Sequence, residues 1–226
     1  MTTPFLPTLL DDASRPFRAS GHFAYHYARG KLSSDCIFRE LLKRGIFPAE
    51  ARFLDLGCGQ GSLFSWLLAA RALYEKGVWP GDWAAAPKAL SLRGYELMAR
   101  DVERAALAFG RPHPIVDIRQ GDMRAVDFGA ADVVTILDAL HYLPHADQDA
   151  VIGRIRKALP AGGLFLTRVG DAGAGLPYHI CNWVDHAVTF ARGHRLPRLF
   201  GRKLTEWVGL LESLGFVVQS EPMSDG

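Results

Sequence analysis

Short apolar runs alternate with longer stretches of helical spacing along most of this chain. Runs at 51–56, 92–96, 115–120, 133–137, 164–169 and 216–220 have the length and composition of strands. The run at 133–137 is apolar enough to be buried on both faces, as central strands of parallel sheets are. Helical segments at 61–74, 100–109, 145–159 and 205–214 separate these runs. Pro160 and Gly162-Gly163 stop the third of them, and Gly215 closes the fourth. Segment 23–43 carries aromatic and apolar residues at mixed helical spacing and predicts one or two further helices. Segment 77–91 holds Trp79, Pro80, Gly81, Trp83 and Pro87, and is a long connection. Strand alternating with helix predicts an α/β fold, a doubly wound and mostly parallel sheet with helices on its faces.

Composition narrows the class. With 226 residues, 49% apolar and 22% charged, the chain suits one domain with a full core and perhaps a small cap. Residues 1–20, rich in Thr, Pro, Ser and Asp, suggest a loose leader, and 21–50 an N-terminal helical cap segment. The main domain is expected at 51–226, with a cap insertion at 171–201. The net charge is +2 and no run of five like charges occurs, so neither nucleic acid nor an anionic membrane surface is an expected partner. The N-terminus lacks the basic start and apolar run of a signal peptide, and no stretch has the length of a membrane span. The three cysteines, Cys36, Cys58 and Cys181, form no CxxC pair. That disfavours a disulfide scaffold or a structural zinc site and suits a reducing, cytoplasmic setting.

The candidate chemistry begins at Asp55-Leu56-Gly57-Cys58-Gly59-Gln60-Gly61, directly after the first strand run and opening a helix. Glycines there let the backbone turn sharply and approach a ligand whose polar groups meet free N–H groups. The spacing is G-x-G-x-G with Ser62 next, unlike the G-x-G-x-x-G of dinucleotide binders. Asp55, at the strand's end, would repel a pyrophosphate and attract a cation such as the ammonium and sulfonium of S-adenosylmethionine. An Asp capping a flexible turn is the plainer alternative.

The stretch Phe53-Leu54-Asp55-Leu56-Gly57-Cys58-Gly59-Gln60-Gly61 resembles the first motif of the class I (Rossmann-like) S-adenosylmethionine-dependent methyltransferases. Further elements follow in the family's order, from about Ala51 to Ser220. Gly94-Tyr95-Glu96-Leu97 matches the acidic end of the second strand, which implies that Glu96 serves the ribose hydroxyls and Leu97 lies beside the cofactor. Gly121-Asp122-Met123 matches the adenine element, implying Asp122 for the amino group and Met123 for the ring face. Ile136 to Leu143 resembles the family's segment after the fourth strand, and Leu159-Pro160-Ala161-Gly162-Gly163-Leu164 the entry to the fifth. The cofactor residues implied are Asp55, Gly57, Cys58, Gly59, Gly61, Glu96, Leu97, Asp122, Met123 and Asp138.

The chain departs from the family twice. Asp55 and Glu96 are 41 positions apart, about twice the usual spacing of roughly 20 for such a unit, and the excess is assigned to 79–87. Only 221–226 follow the sixth strand run, too few for the family's antiparallel seventh strand, so the chain is truncated or its sheet edge is unusual. A weaker resemblance, in 21–31 and Arg192-Gly193-His194-Arg195, is to the methyltransferases of bacterial aryl-polyene (xanthomonadin-type) pigment pathways, which implies an aromatic or aryl-acyl acceptor.

Methyl transfer is an in-line displacement at a sulfonium carbon, so alignment and exclusion of water are the enzyme's main tasks. A phenol or carbon nucleophile also needs a base. Of eight histidines, His141 falls just past the fourth strand run, where ligands of open α/β sheets bind; it is the candidate base, against a packing or capping role. Asp138 could ligate a metal, but Val169-Gly170-Asp171-Ala172 supplies no completing pair, and no metal is expected. No Asn/Asp-Pro-Pro-Tyr/Phe and no Pro-Cys follows the fourth strand, which disfavours DNA-base methylation. Tyr25, Tyr27 and Arg29, with Lys31, either cover the cofactor or anchor the N-terminal helix. His179, Trp183, His186 and Phe190 share one helix face in the cap insertion and suit acceptor contact or simple packing. Arg192, Arg195, Arg198, Arg202 and Lys203 form a basic cluster that would suit a carrier-bound acceptor's phosphate, or a solvated surface. The function expected is methyl transfer from S-adenosylmethionine to a small acceptor. A non-catalytic binding module and an NAD-dependent oxidoreductase are the alternatives.

Overall fold

The computed structural model describes residues 5–173 and 199–222. Five parallel strands form one sheet: β1 (Glu50–Leu56), β2 (Ala89–Glu96), β3 (Val116–Gln120), β4 (Val133–Leu137) and β5 (Leu164–Arg168). Their order is β3-β2-β1-β4-β5. The chain moves outward from β1 to β3 and then returns to β4 on β1's other side, so the topological switch point lies between β1 and β4. Ligands of open α/β sheets bind outside the carboxyl ends of the strands at such a point. The register, Asp55 opposite Gly94 and Thr135, brings the ends of β1, β2 and β4 to one edge.

Helices α4 (Ser62–Glu75), α5 (Ala99–Phe109) and α6 (His145–Ala158) follow β1, β2 and β4, and α7 (Leu204–Ser213) comes last. Two apolar clusters cover the sheet. One joins Phe53 and Leu92 to Phe64 and Leu67 of α4; the other joins Leu54 and Ile136 to Ile152 and Ile155 of α6 and Trp207 of α7. Among the described residues no helix is long and apolar enough to cross a membrane.

The N-terminus corrects the expectation of a loose leader. Residues Phe5–Ser14 form α1, followed by a 3₁₀ turn at Arg15–Ser20. Leu9, Ala13 and Phe17 are wholly buried. Phe5, Leu9, Ala13 and Phe17 recur every four residues, and that stripe packs α1 and the turn on the domain despite the polar residues between. The Ser65 hydroxyl of α4 donates to the Ala13 carbonyl at 2.5 Å. Segment 23–43 folds as two helices, α2 (His22–Ser34) and α3 (Cys36–Lys43), with Asp35 between them accepting the Ile37 N–H.

The extra length between Asp55 and Glu96 lies in the connection after α4. There Trp79 and Trp83 meet Phe5 edge to face, with ring centroids 5.1 and 5.2 Å away, and the Trp79 indole donates to Ala84. The expected sixth strand is also corrected. Residues 216–220 follow α7 without entering the sheet. Phe216 leans on Phe165 of β5, and Val217 is fully exposed. Phe216 thus packs on β5 without joining a ladder.

Candidate cofactor and methyl-transfer site

The loop after β1 is built for close approach. Gly57, Gly59 and Gly61 have φ of 79°, 57° and 87°, where L side chains are disfavoured. A Cβ on Gly61 would sit 2.7 Å from Ile118 and 2.8 Å from Phe109, and one on Gly57 would sit 2.9 Å from the Ala139 Cβ. A Cβ on Gly59 would meet nothing within 4 Å, so this glycine faces open space. Tightness on both sides and space in the middle are what a loop against a ligand requires.

Glu96 ties the loop to β2. Its carboxylate accepts the Gly59 N–H at 2.8 Å and the Met98 N–H at 2.9 Å, and the residue is 9% exposed. Leu97, next to it, is 58% exposed, an apolar side chain left at the rim. Gly94 passes under the loop. A Cβ there would lie 2.7 Å from the Cys58 sulfur, so Cys58 turns its side chain inward and offers a ligand only its backbone. Burial pushes the Cys58 thiol well above its ordinary pKa.

Asp55 is nearly fully buried at the foot of the loop and accepts the Thr135 hydroxyl at 2.7 Å. Burial raises its pKa to about 7; the Thr135 hydrogen bond opposes the shift, the Glu96 charge adds to it and Lys31 offsets part. A cation arriving here would restore the ionised form. Nearby, the Gln60 amide donates to the Ala24 carbonyl of α2 at 2.9 Å, while its buried side-chain oxygen has no hydrogen-bond partner among the described residues. These carboxylates, the spare acceptor and the open face of Gly59 suit a ligand that carries an ammonium and hydroxyls and lacks phosphate.

Asp122 and Met123 follow β3 at the same edge. The Met123 methyl lies 3.5 Å from where a Gly57 Cβ would be, beside the glycine loop. The Asp122 carboxylate is already engaged: the Arg124 guanidinium holds it at 2.5–3.0 Å and keeps its pKa below the ordinary value. A hydrogen bond to an adenine amine therefore competes with an existing ion pair. Asp122→Ala is expected to weaken S-adenosylhomocysteine about tenfold, roughly 1.4 kcal/mol. Calorimetry checks this, and adenosine should lose affinity where methionine analogues lacking adenosine do not.

After β4, Asp138 adopts φ of 58°, unusual for a residue with a side chain. Burial opposes its ionisation, but Arg168 of β5 holds the carboxyl below its ordinary pKa, with Lys31 helping. Asp138 is thus the centre of an ion-pair cluster, and its carboxylate is turned to those cations. Among the described residues no group of three metal-ligating side chains gathers. His141 lies in the 3₁₀ turn Leu140–Tyr142, its ring 4.2 Å from that of Tyr142. Gln148 of α6, wholly buried, fixes this turn by donating to the Leu140 and Leu143 carbonyls.

Helix α2 separates the remaining candidates. The side of α2 carrying Tyr25 and Arg29 turns to the N-terminal elements, where Arg18 lies over the Tyr25 ring and Arg29 pairs with Asp11. Tyr27 lies on another edge, stacked on Phe23 at 6.0 Å, one turn before Lys31. His179, Trp183 and His186 lie outside the described residues, as do Arg192, Arg195 and Arg198. Arg202 is committed to Gln148 and Asp149 at 2.7 and 2.6 Å. Sequence reasoning missed Gln60, Thr135, Asp35 and Arg168. It quoted Gly94 without a role, although a glycine inside a strand signals close backbone approach.

Comparison with known proteins identifies the family. The methyltransferase domain family matches residues 54–165. A carboxy-S-adenosyl-L-methionine synthase from Chromohalobacter salexigens is 33% identical over 118 residues, which are 51% of this chain and 38% of that protein. The match thus spans well under half of that relative. A methyltransferase structure from Bacillus halodurans superposes with a TM-score of 0.54 at 18% identity, covering 82% of this chain and 69% of that one. The magnesium protoporphyrin IX methyltransferase of Synechocystis, solved with S-adenosylhomocysteine, gives 0.54 at 18% identity, covering 90% and 83%. The chain belongs to the class I S-adenosylmethionine-dependent methyltransferases. S-adenosylmethionine is the methyl donor of that class.

Proposed function

We propose that the methyl acceptor is a small, flat, largely apolar molecule, an aromatic or aryl-acyl compound. The observation that carries this reading is a row on α2. Phe23, Tyr27 and Lys31 follow one another every four residues along one edge of the helix. Lys31 ends the row 3.6 Å from Asp138, at the carboxyl edge of β4. Phe23 is 48% exposed, so the edge offers aromatic surface and then a cation. Such a wall suits a ring held by stacking, with one polar or anionic group at its end.

The residues divide the work accordingly. Asp55, Gly59, Glu96, Leu97, Asp122 and Met123 hold the cofactor, which when bound supplies a methyl on a sulfonium. The turn after β4 presents His141 to the acceptor's nucleophile, whose proton it takes.

Incubation with candidate phenols and aryl acids, read by mass spectrometry for a product heavier by one methylene, tests the acceptor class. Turnover of aliphatic acceptors alone would contradict it. Trp183→Ala is expected to lower acceptor turnover about tenfold or more while leaving S-adenosylhomocysteine affinity nearly unchanged. His141→Ala is expected to lower turnover about 100-fold and to remove the acidic limb of the pH profile. An unaltered profile would assign His141 to packing.

A further inference from the structure

The functional assignment leaves one charged cluster unused. Arg168, the last residue of β5, binds two carboxylates from distant parts of the chain. Its guanidinium meets Asp35 at 2.5 and 2.7 Å and Asp138 through Nε at 2.7 Å, with a second contact through Nη2. Asp35 is 133 positions away in sequence and sits at the α2–α3 junction. Asp138 begins the turn that carries Ala139 against Gly57 and His141 beyond it. All three side chains are largely shielded, with 24%, 14% and 35% of their surface exposed.

Helix α2 is therefore fastened to the carboxyl edge near its start and at its end, with Lys31 between them 3.6 Å from Asp138. Near its start the Ala24 carbonyl receives Gln60 of the glycine loop. At its end Asp35 is gripped by Arg168. Asp35 lies 11 positions after Ala24, a rise of about 16 Å along a helix, so α2 bridges from the end of β1 to the ends of β4 and β5. Its other side rests on α1 and the 3₁₀ turn through Ala28 and the Arg29–Asp11 pair. That support does not involve Arg168.

We propose that Arg168 is a positioning residue for methyl transfer, clasping the α2–α3 junction to the turn after β4 so that α2 stays closed over the bound cofactor. Arg suits the task where Lys does not. Its planar fork satisfies two carboxylates at once, whereas an ammonium is a point charge. The clasp sets how fast the cofactor leaves and how well the α2 row is aligned with the His141 turn. It rests on the cofactor lying at this edge and is independent of the acceptor's identity.

The test is stopped-flow dissociation of S-adenosylhomocysteine combined with amide hydrogen exchange. Arg168→Gln is expected to raise the dissociation rate about fivefold or more with little change in association. Exchange should quicken in His22–Ser34 and not in β1 or α4. Asp35→Asn should do the same, and the double variant should add nothing further, since both remove one clasp. Arg52→Gln, which breaks the Arg52–Asp132 pair at the opposite edge of the sheet, should leave dissociation unchanged. If Arg168→Gln does not fold, Arg168→Lys takes its place with the same expectation. Unchanged dissociation, or uniformly faster exchange across the sheet, would overturn the proposal. A wild-type protein that does not bind S-adenosylhomocysteine would instead refute the cofactor assignment, and the α2 exchange comparison would still report on the clasp.

Discussion

Glu96→Ala is expected to abolish measurable S-adenosylhomocysteine binding, a loss of about 100-fold or more. Two effects combine. The substitution removes the carboxylate assigned to the ribose, and it strips the Gly59 and Met98 N–H groups of their shared acceptor. Each donor left unpaired in a largely dry place costs about 1–3 kcal/mol. The loop then loses the link that holds Gly59 at its left-handed φ beside β2. Stability falls too: a loss of about 2 kcal/mol lowers Tm by roughly 4–8 °C in a chain of this size. Glu96→Gln keeps one accepting oxygen but turns an NH₂ toward a backbone donor, so an intermediate loss is expected. Calorimetry and thermal melts on the three proteins check the series. Equal affinity in all three would remove Glu96 from the site.

Asp55→Asn is expected to weaken S-adenosylhomocysteine at least about tenfold at pH 8, roughly 1.4 kcal/mol, because a charge-assisted contact becomes neutral. The pH dependence carries the sharper signature. Burial raises the Asp55 pKa to about 7 in the free protein, while a cationic ligand requires the ionised form. Wild-type affinity should therefore fall as pH drops below about 7, by up to tenfold per unit for one proton. In Asp55→Asn that slope should be absent. Stability moves the other way. A carboxyl whose folded pKa is raised binds more protons folded than unfolded, so stability is lost as pH rises from its ordinary range near 4 toward 7. Melts at pH 5 and pH 8 should show this loss in the wild type and less of it in Asp55→Asn. The free enzyme thus gives up stability at neutral pH to keep a carboxylate ready for a cation. A flat affinity profile in the wild type would contradict the role given to Asp55.

Much of the sheet and its loop was legible in the sequence because local rules govern them. Strand β4 was bounded correctly by its apolar run alone. The glycines after β1 announced a turn that only they can make. The N-terminal helix was missed because composition was weighed above period. Thr, Pro, Ser and Asp in 1–20 concealed the four-residue stripe of Phe5, Leu9, Ala13 and Phe17. Residues 216–220 have a strand's composition, but a strand also needs a neighbour with free backbone groups, which no local pattern reveals. The clasp of Arg168 on Asp35 was illegible for a similar reason. It depends on β5 lying next to β4 and on α2 crossing the sheet's edge, so its partners are set by topology and not by spacing. Asp122 was legible as a candidate from its place after β3, yet its engagement with Arg124, two positions on, emerged only with side chains in place.

The central claim is that this chain binds S-adenosylmethionine at the carboxyl edge of β1 and β2. Its most direct test is titration calorimetry of the wild-type protein with S-adenosylhomocysteine, with NAD in a parallel cell. The account predicts a saturable one-to-one isotherm for S-adenosylhomocysteine and no heat of binding for NAD. Saturable NAD binding with none for S-adenosylhomocysteine would contradict it.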